Sequence, residues 1–364
     1  MVTRIERTSK YRHIVERAWH QKYWDFITVE NPDKPWNWYC ISWNPSTTTH
    51  EILQNPDEPW RWDALSFNPN ITMEFINENP DKPWDWNSIS YNPNITLEII
   101  KENPDKPWNW HGISKNPNLT MEFIKENSDK LWSWYYISYN PNITMEIIKE
   151  NPNEPWEWHR ISYNPNLTME FIEANMDKRW DWGLISMNPN ITMNDIKENP
   201  DKPWEWQWMS FNPNLTMEFI KENPDKQWNW NSISYNPNIT MEIIKENPDK
   251  PWNWHGISKN PNLTMEFIKE NSDKLWSWNY ISSNPNITMN DIKENPDKPW
   301  VWTWITQNIF TLSKQVFIHT EYRRYLASYR IQQWWHRIRC DPRHPVGKRR
   351  LEREYAELFG PEAL

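Results

Sequence analysis

The pair Trp-x-Trp occurs twelve times at an unbroken spacing of 24 residues, from Trp36 and Trp38 to Trp300 and Trp302, and these pairs hold 24 of the 31 tryptophans. A fixed period of this length is the signature of stacked structural units. Each unit is too small to bury its own apolar face and must bury it on its neighbours. The period therefore predicts an all-α elongated solenoid of twelve repeats, in which short α-helices alternate with short α or 3₁₀ helices.

Residues 79–102 show how one unit is built. Thr96 is placed to N-cap a helix, Glu98 sits in its first turn and Lys101 near its end, matching the helix dipole at both ends. Asn103-Pro104 stops it, because proline disfavours helical geometry in the residue before it. In the other half, Asp81 is placed to cap a second segment with Pro83 in its first turn, and Asn92-Pro93 ends it. The expected core set is Ile99, Ile100, Trp84, Trp86 and Ile89. Trp84 and Trp86 are two apart and cannot share a helix face, so one is expected to pack within its repeat and the other across to the next.

Composition agrees with an ordered, stiff chain. There are 5 Gly against 31 Pro, and aromatic residues make up 15%, unlike a flexible linker or a disordered segment. Residues 1–30 carry six basic and four acidic side chains, residues 31–308 carry 23 and 39, and residues 309–364 carry 11 and 6. These three segments are the expected domains: a helical N-terminal cap, the solenoid and a basic helical tail. An acidic array repels a polyanion, so nucleic acid or an anionic membrane is expected to act only at the tail. No apolar run is long enough to span a membrane, and the N-terminus lacks a signal-peptide core. Cys40 and Cys340 are too far apart in the chain to suggest a disulfide framework or a zinc motif. A cytoplasmic protein follows as the expectation.

The alternation of Asn-Pro-x-x-Thr-x-Glu-hydrophobic-hydrophobic with Asn-Pro-Asp resembles the leucine-rich repeat variant solenoids over residues 31–308. That resemblance implies alternating α and 3₁₀ helices wound into a right-handed superhelix, although Trp-x-Trp stands where that family carries small and basic residues. Residues 103–134 are identical to 247–278, six repeats on. Such block duplication suggests that repeat number was free to change, which suits a spacer or a binding surface better than an active site.

Because the repeats align with each other, variation among them can be read directly. Asn68, Asn92, Asn116 and Asn140 stand at one unchanging position, and Thr is constant from Thr48 to Thr288. The two positions after the second Trp vary, as does the one ahead of the second Asn-Pro. They supply the candidate partner-binding strip: Tyr39, Trp43, Tyr91, His111, Tyr135, His159, Arg160, Trp208, His255 and Tyr280. Aromatic anchors of this kind dominate protein interfaces; the plainer reading is tolerated surface variation. A regular array displays like groups at regular intervals, not the convergent unlike groups that catalysis requires. No phosphate loop, zinc cluster or nucleophile elbow is present, so no enzyme, metal, cofactor or small-molecule substrate is expected. The Asn-Ile-Thr and Asn-Leu-Thr triplets match glycosylation acceptors, but Thr as N-cap and Asn in the preceding turn account for them.

The termini differ from the array. Ile5, Tyr11, Ile14, Val15, Trp19, Tyr23 and Trp24 read as a helical cap. In the tail, Arg323, Arg324, Arg330, Trp334, Trp335, Arg337, Arg339, Lys348, Arg349 and Arg350 form a basic, aromatic docking segment. Its Ile331-Gln332 is reminiscent of a calmodulin-binding IQ helix, with His336 where that motif wants Arg. The stretch Tyr329-Arg330-Ile331-Gln332-Gln333-Trp334-Trp335, followed by a Pro-containing hinge and a basic helix, resembles the tail of repeat proteins from giant nucleocytoplasmic DNA viruses. That resemblance implies residence in infected-cell cytoplasm or a virion. The sequence thus points to a non-enzymatic scaffold for protein partners, with a nucleic-acid-associated virion protein and a carbohydrate-binding surface protein as alternatives.

Overall fold

A computed structural model describes residues 4–341 and 343–359; it describes no side chain at positions 1–11, at 13 or from 355 onward, so Ile5 and Tyr11 of the expected cap lie outside the described side chains. The described residues are all helical, with no strand. Helix α1 is Arg4–Thr28, α2 to α24 are short repeat helices, and α25 (Thr311–Cys340) and α26 (Pro345–Phe359) form the tail. The even-numbered short helices, from α2 (Trp38–Trp43) to α24 (Trp302–Ile305), each begin on the second Trp of a pair. The odd-numbered ones, from α3 (Thr49–Gln54) to α23 (Met289–Glu294), each follow a Thr. The chain forms two compact units: Tyr23–Leu312, and the residues up to Lys22 together with those from Ser313 onward.

The Thr-capped helices form as their sequence predicts. In α7 (Leu97–Glu102), the Thr96 side chain accepts from the Ile99 N–H, and Glu98 and Lys101 occupy the first and last turns. The Trp helices start later than expected. Asn79-Pro80-Asp81-Lys82 is a turn closed by the Lys82 N–H on the Asn79 carbonyl at 3.3 Å. The cap of α6 (Trp86–Tyr91) is Asp85, between the two tryptophans, not Asp81.

The core is also more aliphatic than expected. Ile89, Ile95, Leu97 and Ile100 are buried, whereas Ile99, Trp84 and Trp86 are half-buried. The position of Ile99 alternates between repeats: Phe75, Phe123, Phe171, Phe219 and Phe267 fill it every second time and are buried. Each then stacks on the second Trp of its own repeat, as Phe75 does on Trp62.

Two polar ladders lock each repeat to the one before it. The constant Asn is buried, and its amide donates backwards: Asn164 Nδ2 reaches the carbonyls of Ser138, Asn140 and Ile143 at 3.0, 3.4 and 3.0 Å. Its Oδ1 accepts the Asn166 N–H, which fixes the turn. The buried Ser of each Trp helix accepts the N–H between the next two tryptophans, as Ser138 Oγ does from Glu157 at 2.9 Å. A buried amide leaves little tolerance for substitution, since removing it leaves the Ser carbonyl without a donor where water cannot reach and thins the bonding of the others. That is why these positions do not vary. The Asn of the Asn-x-Thr triplets is engaged too: Asn166 Nδ2 donates to the Pro141 carbonyl at 2.8 Å.

The repeat unit closes on itself. Trp302, in the last repeat, meets Trp36 of the first edge to face at 5.3 Å and 86°. This is the contact that every other second Trp makes with the first Trp of the following repeat, at 5.0 to 5.4 Å. Asn44 Nδ2 donates to the carbonyls of Thr306 and Asn308, each at 3.3 Å, as if the last repeat preceded the first. Lys293 Nζ pairs with Glu30 Oε1 at 2.7 Å, the counterpart of Lys101 with Glu126. The end of α1 supplies the twelfth outer half-repeat: Phe26 stacks on Trp302, and Glu30 stands in register with Glu78 and Glu126. The helical repeat array is as the period predicts; the added finding is that its two ends meet. No open superhelix continues past them, and twelve repeats complete the circuit. The identical segments, six repeats apart, lie half a circuit apart.

The chain leaves the array at Phe310, which stands in the third position of an Asn-Pro-Asn turn. It adopts φ 47°, an uncommon left-handed conformation for a bulky residue. Burial against Tyr23 and Phe26 holds it there. In the terminal unit, Trp19 is buried and packs on Phe317 at 5.9 Å.

Candidate partner-binding strip and tail

In a closed circuit the elements nearest the axis are nearest each other. The closest approaches between helices, α6 to α8 (Trp110–Ile113) among them, are all between successive Trp helices. Backbones touch there: a side chain on Gly112 would place its Cβ 2.8 Å from the Asn87 carbonyl oxygen, and Gly256 repeats this with Asn231. On the other side, long Lys–Glu pairs such as Lys197 with Glu222 bridge the gap between successive Thr helices. The Trp helices and their variable residues therefore lie on the inner side.

On that side the variable positions touch from repeat to repeat. Phe67 meets Tyr91 edge to face at 5.2 Å. The Lys115 ammonium lies over Tyr91 at 5.5 Å and over Tyr136 at 4.1 Å, and His111 abuts Tyr136 at 4.7 Å. Tyr135, Tyr136 and Tyr139 pack on one another, and the Arg160 guanidinium covers Tyr135 at 4.0 Å and Tyr139 at 4.7 Å. A second run joins Trp208, Phe211 and Tyr235, then Lys259, His255, Tyr280 and Trp304. Because of the internal duplication, Tyr91, His111, Lys115 and Tyr136 recur as Tyr235, His255, Lys259 and Tyr280, half a circuit away.

Of the sequence candidates, Tyr91, His111, Tyr135 and Arg160 are joined in the first run, and Trp208, His255 and Tyr280 in the second. Tyr39 stands apart with Arg61 over its ring at 5.5 Å, and Arg61 also holds Asp63 at 2.8 Å, keeping that carboxyl below its ordinary range. His159 pairs with Asp181 at 3.0 Å, and Trp43 is half-buried. The candidates omitted Phe67, Lys115, Tyr136, Tyr139, Phe211, Tyr235, Lys259 and Trp304, which connect the others. Their signal was in the sequence, since all occupy the same variable positions. Burial pushes the Tyr91 hydroxyl up to about 12, with Asp85 and Tyr39 adding to it.

No protein-family model, curated protein or solved structure matches the chain. Its architecture must be argued from its own residues.

Five of the second tryptophans, Trp62, Trp110, Trp158, Trp206 and Trp254, are each stacked by a Phe and also carry a lysine over the ring. No group of three or more His, Cys, Asp or Glu is placed to hold a metal among the described residues. Cys40 and Cys340 are both free thiols. No described helix is long and apolar enough to cross a membrane.

In the tail, Arg323, Arg324, Arg330, Arg337 and Arg339 of α25 are exposed, as are Trp334 and Trp335, and α25 has no buried residue. Arg324 pairs with Glu321 at 2.6 Å. On α26, Lys348 and Arg349 are exposed, while Arg350 holds Glu354.

Proposed function

We propose that this protein is a non-enzymatic repeat scaffold that binds a protein partner through the aromatic and cationic strip on the inner side of its closed array. The observation that carries this reading is the coincidence of variation and position. Among the residues that vary between repeats, the large aromatic and charged ones are exposed or half-exposed and gathered on one side, while small ones such as Ala64, Ser88 and Gly112 are buried there, and the buried Asn that locks each repeat to the one before it does not vary. Side chains at the same strip position in successive repeats lie 5.2 to 6.1 Å apart at four steps. Twelve such steps close a circle of radius ~10 Å, enough for an extended segment or a single helix of ~10 Å diameter but not for a globular domain. The expected partner element is therefore a helix or an extended peptide.

The test compares proteins captured by the full chain with those captured by Tyr135→Ser/Trp208→Ser and by a chain lacking residues 319–364. Partners lost from the strip variant and kept by the truncation support the reading. Partners kept by the strip variant remove it. The exposed arginines of α25 favour a second reading, nucleic-acid association through the tail, which calls for steep salt dependence. The Phe and Lys that cover those five tryptophans weigh against sugar stacking at them. The likenesses to leucine-rich repeat variants and to giant-virus repeat proteins rest on motifs alone, and with them rests the assignment to infected-cell cytoplasm or a virion.

A further inference from the structure

Helix α25 carries an apolar face that none of the described residues covers. Ala327, Ile331, Trp334, Trp335 and Ile338 are spaced by three and four residues and so share one side of the helix. Ile331 is 62% exposed, Trp334 59% and Trp335 48%. Arginines rim this face: Arg323, Arg330 and Arg337, at intervals of seven, run along one border and Arg339 stands on the other. All four are exposed. Within Thr311–Cys340 there are six Lys and Arg and a single acid, Glu321.

We propose that this face of α25 lies on an anionic lipid surface, a binding site separate from the strip. The chemistry fits that occupant in two ways. Trp is suited to the boundary between headgroups and acyl chains, where its ring is apolar and its N–H remains wet. Arginine extends from the border of such a face toward phosphate and carboxylate headgroups while its stem stays on apolar surface. A helix with Trp and Ile on one side and a basic rim binds in the interface plane, by apolar burial and charge together. A nucleic acid would engage the arginines and leave Ile331 and both tryptophans in water. The net charge of α25 is opposite to that of the repeat array, so α25 is attracted to such a surface and the array is not.

The test is flotation of the full chain with vesicles of phosphatidylcholine alone and of phosphatidylcholine mixed with phosphatidylserine. The expected result is flotation only with the mixed vesicles. Trp334→Ala/Trp335→Ala lowers the bound fraction by about tenfold or more, in proportion to the apolar area removed. Arg330→Glu/Arg337→Glu abolishes it. Both pairs are exposed, so both variants should keep the helical circular dichroism of the parent; Ile331→Ser serves as a further variant if either does not. Absence of flotation with mixed vesicles overturns the proposal, as does flotation that survives all three variants. Binding of a single-stranded oligonucleotide that withstands the Trp variant, with no vesicle binding, assigns the arginines to nucleic acid instead.

Discussion

The repeat array and the tail are both helical, yet they are held in opposite ways. In the array, helices of four to six residues, too short to persist alone, are ordered because their polar groups have assigned partners one repeat away. Asn116 donates to Ser90, Asn92 and Ile95, and Asn109 donates to Ser90. In the tail, α25 is 30 residues long with no residue buried; beyond the contact of its Phe317 with Trp19 it owes its helicity to length and local spacing. The lesson is that order in this chain comes from translation of one bonding pattern, and that freedom to vary appears wherever that pattern makes no demand.

The largest effect should come from breaking the circuit. Deleting residues 127–150 leaves eleven repeats, which cannot keep the closing contacts without strain. Those contacts include two hydrogen bonds from the Asn44 amide, an edge-to-face Trp pair, a cation–π contact and an exposed ion pair. Together they amount to about 3 to 5 kcal/mol, visible as a lowered urea midpoint. Removing residues 319–364 should leave that midpoint where it was. An eleven-repeat chain as stable as the parent would mean that closure contributes nothing.

Next in size is the ladder itself. Asn164→Ala takes from the buried Ser138 carbonyl its donor in the next repeat, thins the bonding of the Asn140 and Ile143 carbonyls and frees the Asn166 N–H; it should cost about 2 to 4 kcal/mol, whereas Gln333→Ala on the exposed tail should stay within about 0.5 kcal/mol. Trp182→Ala should fall near 2 kcal/mol, because Trp182 is half-buried, with one edge-to-face contact to Trp204 at 5.2 Å. A fully buried Trp would cost about 3 to 5 kcal/mol. Thr168→Ala, which removes the cap on the Phe171 N–H, should cost about 1 kcal/mol. Equilibrium unfolding of each variant in urea orders the series, and equal losses at Asn164 and Gln333 would erase the contrast between array and tail.

Much of this was legible in the sequence, and what was not has physical reasons. The period, the Thr caps and the constancy of Asn68 and its equivalents follow from local rules. That constancy looked like capping, but its larger cause is the backward donation of each amide, which needs a neighbouring repeat to be seen. Asp81 was misread as a cap because Pro-Asp-Lys suits a turn as well as a helix start, and only tertiary packing decides between them. Closure was hidden for a different reason. It depends on a rotation of one-twelfth of a turn accumulating over the whole array, and no single repeat encodes that sum. One trace of it is in the sequence: Glu30-Asn31-Pro32 continues the register of Glu78-Asn79-Pro80 backwards into α1, so the first helix ends as half of a repeat. The strip was partly seen because it varies. Its links, Lys115 and Tyr136 among them, stood at the same variable positions, but which of those side chains touch is decided only when successive repeats stack.

The smallest effect bears on the strip. Burial raises Tyr91 to about 12, and burial raises Tyr23 further, with Cys40 adding to it. A tyrosine whose pKa is higher folded than unfolded contributes stability that is complete below the unfolded value near 10 and is lost as pH rises through the folded value. Stability should therefore decline between pH 10 and 12, and Tyr91→Phe should flatten part of that decline while leaving the neutral-pH midpoint nearly unchanged. Tyr91 is only half-buried, so its share should be smaller than the loss at Thr168. Tyr23 is fully enclosed, and its hydroxyl has no hydrogen-bond partner among the described residues, so Tyr23→Phe should flatten more of the decline. Urea midpoints across this pH range, set beside tyrosinate absorbance, separate the two; an unchanged slope in both variants would place the alkaline sensitivity outside the array and dissolve the last distinction drawn between its packed and its exposed tyrosines.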